Sequence, residues 1–246
     1  MGFMSDLTNA AGSDRSVDVA EVRSKLNNAS ERKQLQLLRD LPPAEEASLD
    51  VFIEFLGDRR SRPEFPSAVD GTAYQLLYSS DAPKAIEFLQ THFPTGIVPL
   101  RSQRGIDYAP LQQLLVKREW QDADRVTVQK MCELAGESAM QRKWLYFTEV
   151  DNFPVEDLQT IDCLWVVHSE GKFGYSVQRE LWLGVGKQWG KLWPKIAWKD
   201  GNHWSRYPNE FTWDLSAPKG HLPLSNQLRG VRVMNSLLNH PAIASE

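Results

Sequence analysis

The sequence predicts an all-α protein in two parts, and three observations carry that expectation. Apolar residues recur at threes and fours through segment after segment, with Gly and Pro punctuating them at short intervals. The stretch FPVEDLQTIDCLWVVHSEGKFGYSVQRELW, from Phe153 to Trp182, reads as a helix, a glycine-marked turn and a second helix. All nine tryptophans lie between Trp120 and Trp213, and the first 119 residues hold none. That asymmetry places a boundary in the turn-rich segment Thr95 to Ile106. The expected organisation is a disordered tail over 1–16, an antiparallel helical bundle over 17–95 and a helical core domain over 106–240.

The first part is read as five short helices. Val19, Val22 and Leu26 mark the first, and Leu35, Leu37, Leu38 and Leu41 the second, which Pro42 and Pro43 end. Leu49, Phe52, Ile53 and Leu56 mark the third, with Gly57 expected to close it. Ala68 to Tyr78 and Pro83 to Phe93 are the fourth and fifth. Short connections suit a small antiparallel bundle or stacked helical hairpins, and no self-similar period is visible. Such a bundle either docks a partner or stabilises the second part, and with no exposed motif the stabilising role is preferred.

The second part opens at Asp107, read as an N-cap, ahead of Tyr108, Leu111, Leu114 and Leu115. A helix follows from Trp120 to Leu134 and stops at Gly136. In Met140 to Val150 the residues Trp144, Leu145, Tyr146 and Phe147 run consecutively, which fits neither a one-sided helix nor an alternating strand. On a connecting loop they either fold back into the core or close over something. In the central pair Pro154 is expected at the first helical position, with Glu156 and Asp157 at the positive end of the dipole. Val155, Leu158, Ile161, Leu164 and Trp165 make its apolar face, and Ser176 is expected to cap the next helix. From Gly186 to Pro223 seven large aromatics crowd among Gly and Pro: Trp189, Trp193, Trp198, Trp204, Tyr207, Phe211 and Trp213. Those beyond Trp198 are expected on a long irregular segment, which heavy aromatic content argues is ordered and functional. The last helix, Asn226 to Asn239, puts Leu228, Val231, Met234 and Leu238 on one side at about 100° per residue. Asn226, Arg229 and Arg232 fall opposite, and Lys219 and His221 lie on the approach. That polar face is either solvated or a binding edge.

Composition removes several function classes. A net charge of −4 argues against a nucleic-acid surface. Cys132 and Cys163 fall in apolar helical patterns and are expected as reduced thiols; no CxxC or His/Cys cluster suggests zinc. His203 and His221 are expected to be ordinary, partly exposed histidines. There is no GxSxG elbow or HExxH helix, and Gly184, Gly186 and Gly190 have no GK[ST] ending. The N-terminal stretch MGFMSDLTNAAGSDRS does not read as a signal or transit peptide, and no segment reaches the roughly 18 apolar residues of a membrane span. The expectation is a cytoplasmic protein, not an enzyme, whose membrane contact is at most peripheral.

What remains is a pair of aromatic loops beside a helix presenting Arg and Asn. That combination suits a flat, apolar, anionic ligand, because rings cover its faces and guanidinium forks meet its carboxylates. Burying about 300 Å² of ligand carbon contributes about 7 kcal/mol, which association costs reduce to near-micromolar affinity.

These residues carry a resemblance. The DL-TID-LW run, the G-FG-SVQ turn and FTWDLSAPKGHLP, in order between Asp107 and Pro223, resemble the core of the genomes-uncoupled tetrapyrrole-binding family, the porphyrin-binding activator of magnesium chelatase. The helical first part is similar to the accessory bundle of its cyanobacterial members. The resemblance implies an all-α core shaped like a cupped hand, its cleft taking protoporphyrin IX or magnesium protoporphyrin IX between two mobile loops. Those loops correspond to Trp144–Phe147 and Trp198–Pro223. The ligand-binding candidates are then Trp144, Tyr146 and Phe147 on the first loop, and Trp204, Tyr207, Phe211 and Trp213 on the second. Lys219, His221, Asn226, Arg229 and Arg232 complete the set. The implied partner is the large porphyrin-binding subunit of magnesium chelatase, for a monomer without a prosthetic group or metal site, in the cytoplasm or peripherally at the thylakoid membrane. The alternative is an interaction module whose aromatic loops dock a protein with no small ligand.

Overall fold

The structure, a computed structural model, describes residues 19–60, 65–225 and 231–244. The expected tail over 1–16, and Asn226 and Arg229 of the expected last helix, lie outside the described residues.

Five helices make the first part: α1 (Val19–Asn28), α2 (Glu31–Asp40), α3 (Glu46–Arg59), α4 (Ala68–Tyr78) and α5 (Pro83–His92). Gly57 does not close the third helix. It lies inside α3, and the Arg60 N–H, donating to the Leu56 carbonyl at 3.0 Å, holds the last turn. α4 starts at a capping box, in which Ser67 Oγ accepts the Asp70 N–H at 3.3 Å and Asp70 Oδ2 accepts the Ser67 N–H at 2.7 Å. Arg59 Nη1 donates to the same carboxylate at 2.8 Å.

Every residue of α4 from Ala68 to Gln75 is buried, so this helix must have partners on more than one side. α3 is one, and α10 of the second part is another. The α4–α10 approach depends on Gly71, because a Cβ there would fall inside the Val167 carbonyl oxygen. Beside it, Gln75 Nε2 lies 3.2 Å from the Leu115 carbonyl, 3.3 Å from Val116 and 3.2 Å from His168. Glu170 accepts from Arg39 of α2 and from Arg118 of the second part, tying the halves again at the surface. The buried apolar side chains form one continuous cluster from Leu26 to Ile243.

The second part continues with α6 (Ala109–Val116), α7 (Trp120–Ala135), α8 (Glu137–Arg142), α9 (Phe147–Val150), α10 (Val155–His168), α11 (Tyr175–Gly184) and α12 (Trp189–Lys195). A two-residue antiparallel pair follows, β1 (Lys199–Asp200) with β2 (His203–Trp204), and then α13 (Arg232–Asn239) and α14 (Pro241–Ala244). Three expected caps move by a residue or two. Tyr108 is the N-cap of α6, and Asp107 Oδ1 accepts the Ala109 N–H at 2.9 Å. Pro154, with ψ at 139°, is the N-cap of α10. Gly174, at φ 134°, is the N-cap of α11, while the Ser176 N–H donates to Asp162 Oδ1 at 2.9 Å.

α10 is the axis of this part, touching α4, α6, α11 and α14. Its Trp165 is fully buried, stacks 6.0 Å from Trp120 of α7, and satisfies its indole N–H on Thr127 Oγ1 at 2.9 Å. Its Asp157, also fully buried, accepts from Ser102, from the Gln103 N–H and from the Tyr108 hydroxyl, which fixes the incoming linker. Both cysteines are free, and burial pushes the Cys132 thiol up to about 11. Among the described residues no helix is long and apolar enough to cross a membrane.

Gly71→Ala is expected to destabilise the protein by about 1–3 kcal/mol, because backbone of α10 must move away from α4. Gly57→Ala, where an added Cβ meets nothing within 4 Å, is expected to stabilise by up to about 1 kcal/mol. Urea unfolding of the two variants beside the parent checks both signs, and equal effects would show that Gly71 does not set the helix spacing.

Candidate functional site

α7, the α8–α9 corner and the start of α13 surround a cleft of about 760 Å³. α7 gives one wall through Asp124, Arg125, Val128 and Cys132. The corner gives another through Met140, Arg142, Trp144 and Leu145. Tyr207, Leu224, Ser225 and Val233 complete it.

The corner is built by Lys143, whose φ of 61° ends α8 in a left-handed turn. The chain then alternates, with Leu145 buried while Tyr146 stays 47% exposed. Trp144 and Tyr146 meet edge to face at 4.5 Å, and the Arg142 guanidinium lies 5.1 Å and 4.5 Å from their ring centroids. Arg142 Nη2 donates to both Glu149 oxygens, at 2.6 Å and 2.9 Å, while its buried Nε has no partner. The connecting segment is thus a tight corner pinned by one arginine. Phe147 opens α9, with the Arg232 guanidinium of α13 5.5 Å from its ring centroid.

The structure sorts the sequence-predicted residues into two groups. Trp144 and Tyr207 line the cleft, Tyr146 sits against Trp144, and Phe147 sits with Arg232 on the neighbouring α9–α13 contact. The others face elsewhere. Trp204 packs 5.8 Å from Trp193, itself part of a stack in which Trp182, Trp189, Trp193 and Trp198 follow at 4.8, 5.1 and 5.5 Å. Phe211 is buried against His221, and Trp213 braces Tyr207 at 5.7 Å while donating its indole N–H to the Pro208 carbonyl at 3.0 Å. Lys219 pairs with Glu180 at 2.7 Å.

His221 corrects the expectation of a partly exposed histidine. It is 1% exposed, its Nδ1 is 2.7 Å from the Ile196 carbonyl, and its Nε2 accepts the Thr212 N–H at 3.1 Å. Both nitrogens are used within the fold, the neutral Nδ1–H tautomer satisfies both contacts, and burial holds the ring below the usual histidine range. His203 stays exposed and pairs with Glu210 at 2.7 Å. Among the described residues no group of three or more His, Cys, Asp or Glu side chains is placed to hold a metal ion.

Asp124 is the residue that sequence reasoning missed. It stands four places after Trp120 and three before Thr127, on the buried face of α7. A carboxylate in the apolar phase of a helix was the available signal. It is 2% exposed, and its Oδ1 accepts the Leu224 N–H at 2.7 Å, which anchors the cleft's far side to α7. Burial pushes this carboxyl up to about 7, and the Leu224 hydrogen bond only partly offsets that.

The cleft has apolar walls, with Trp144 and Tyr207 among its lining residues and Arg125, Arg142 and Lys143 around it, a lining suited to a large apolar ligand that carries negative charge. A GUN4-like family model matches residues 101–241, and a second, described as an ARM-like repeat domain, GUN4-N terminal, matches residues 10–94. The chain belongs to the GUN4-like family. It is 50% identical over 224 residues to the Ycf53-like protein of Synechocystis sp., covering 91% of this chain and 96% of that one. The chloroplastic tetrapyrrole-binding protein of Arabidopsis thaliana is 40% identical over 144 residues, 55% of this chain and 54% of that one. The structure of GUN4 from Chlamydomonas reinhardtii superposes with a TM-score of 0.56 at 42% identity, over 59% of this chain and 95% of that one. The family's N-terminal module is described as a helical repeat, whereas no repeat period is visible in the sequence of α1–α5.

Asp124→Asn keeps an acceptor for the Leu224 N–H and removes the titration. An acid whose folded value lies near 7, against 3.8 for the free group, stabilises fully below 3.8 and loses that contribution as pH rises towards 7. The difference amounts to about 4 kcal/mol as an upper figure. Melting curves are expected to show the Asn variant gaining on the parent from pH 5 to pH 8, and a constant difference across that range counts against the assignment.

Proposed function

We propose that this protein binds protoporphyrin IX and magnesium protoporphyrin IX in the α7–α13 cleft and, as a non-enzymatic carrier and activator, stimulates magnesium chelatase. The observation that supports this most is the cleft itself: about 760 Å³, apolar on its walls and edged with cations. That volume suits a macrocycle held by its faces, with its propionates at the rim. The name of the Arabidopsis relative, a tetrapyrrole-binding protein, agrees with the reading.

Trp144 and Tyr207 would cover the macrocycle, with Phe147 as a neighbouring wall. Arg232, with Asn226 and Arg229 just before it in sequence, would take the propionates. Trp204, Phe211 and His221 are better placed to hold the long segment in shape, as their partners are internal. Tyr146 and Tyr207, 47% and 48% exposed, suit contact with the large porphyrin-binding subunit of the chelatase when the ligand is handed over. The protein would act as a monomer in the cytoplasm, with peripheral contact at the thylakoid membrane.

Titration with protoporphyrin IX is expected to quench tryptophan fluorescence and shift the Soret band. Arg229→Ala and Arg232→Ala are each expected to weaken binding roughly 5–20-fold, the size of a charge-assisted contact, with unchanged helicity. In a chelatase assay the parent protein should raise the rate of magnesium insertion, and the weakened variants should need more protein to do so. Neither quenching nor a Soret shift would leave the aromatic loops as a protein-docking surface without a small ligand.

A further inference from the structure

Asp124 has an oxygen that the fold does not use. Oδ1 takes the Leu224 N–H, and among the described residues no donor meets Oδ2, although the side chain is almost fully buried and lines the cleft. It is the only acidic side chain among the described residues lining that cleft, and of the cationic residues there Arg125 pairs with Asp122 and Arg142 with Glu149. A carboxylate oxygen with no protein donor, on the wall of a largely apolar cleft, is left to water or to a group on the ligand.

A carboxylate oxygen over the face of a tetrapyrrole meets either ring N–H groups, which lie in the plane and point inward, or a central metal with an open axial position. Magnesium is a hard cation that takes oxygen ligands. The sulfur atoms of Met131, Met140 and Cys132, also on the cleft wall, are the wrong donors for it. Resting on the tetrapyrrole reading above, we propose that Asp124 is the specificity-determining residue of the cleft, its Oδ2 meeting the axial position of a central magnesium directly or through one water and so favouring the metallated ligand over the metal-free one. The other oxygen donors on the wall are less suited. Ser225 Oγ is turned to Met234 Sδ at 3.1 Å, Gln129 donates to Glu133 on the outside of α7, and the Tyr207 hydroxyl is neutral.

The test is a pair of titrations, metal-free protoporphyrin IX and its magnesium derivative, on the full chain and on Asp124→Asn and Tyr207→Phe. Asp124→Asn is expected to lower affinity for the magnesium form about tenfold, the loss of one charge-assisted contact, while affinity for the metal-free form stays within about twofold. The Soret band of the bound magnesium form should move in this variant and not in Tyr207→Phe, since a change of axial donor alters the chromophore directly. An unchanged affinity ratio, or equal losses for both ligands, overturns the role of Asp124 while leaving the cleft as the binding site. A parent protein that binds neither form overturns the tetrapyrrole reading and this inference with it.

Discussion

The irregular run from Ser205 to Ser225 has to place its backbone polar groups somewhere, and the corner between α10 and α11 takes them. Gln178 Nε2 donates to the Gly220 carbonyl at 3.0 Å and to the Pro223 carbonyl at 2.8 Å. The Gly174 N–H donates to Leu222, the Gly220 N–H to Lys172, and the Trp198 indole to His221. A segment this rich in Gly, Pro and aromatics has no ladder of its own. Without that borrowed set of partners nothing would hold Tyr207 and Leu224 opposite α7. The cleft therefore depends on a buried glutamine as much as on any residue that lines it, and the last link in the set, Leu224 N–H to Asp124, belongs to the cleft wall.

This dependence explains what the sequence could and could not show. Helices were legible because 3.6-residue periodicity is a local property: α4 and α7 begin at the residues that their patterns predict. Caps were less legible, since Ser176 offers a hydroxyl at a plausible place but Gly174 has the φ that the turn requires. The aromatic segment was legible only in outline. In an irregular chain there is no period to phase, so Trp204, Phe211 and Tyr207 look alike until their neighbours are known. The structure separates them: Trp204 joins an indole stack, Phe211 covers His221, and Tyr207 reaches the cleft. The Trp144–Phe147 run escaped both periodic templates because a left-handed residue at Lys143 and an arginine behind two rings make it a corner.

The two families of tryptophan contact divide the labour. Trp120 and Trp165 join α7 to α10 in the interior, where an indole N–H finds a threonine hydroxyl and large apolar area is removed from water. Trp182 of α11, Trp189 and Trp193 of α12, and Trp198 form a stack that ends in a buried indole bonded to the His221 carbonyl. Neither group lines the cleft. Most of the aromatic richness that marks this half of the chain therefore serves to make a rigid support, leaving Trp144 and Tyr207 as the tryptophan and tyrosine on the cleft wall. A site meant to hold a planar molecule gains from such support, because ordering a loop on binding would subtract from a modest affinity.

Asp124 shows the opposite balance. A leucine or asparagine at that position of α7 would suit the apolar phase of the helix better, and the carboxylate loses solvation that one backbone N–H does not restore. Anchoring Leu224 does not require a charge, since a neutral amide oxygen accepts the same bond. Structural duty therefore accounts for Oδ1 and leaves Oδ2 without a reason within the fold. A local cost of this kind, on the wall of the main cleft and next to the segment that shapes it, is where binding function is expected to override stability. On the proposed reading, the selectivity of the cleft lies with its one acidic described residue, and its affinity with the rings and guanidinium groups around it.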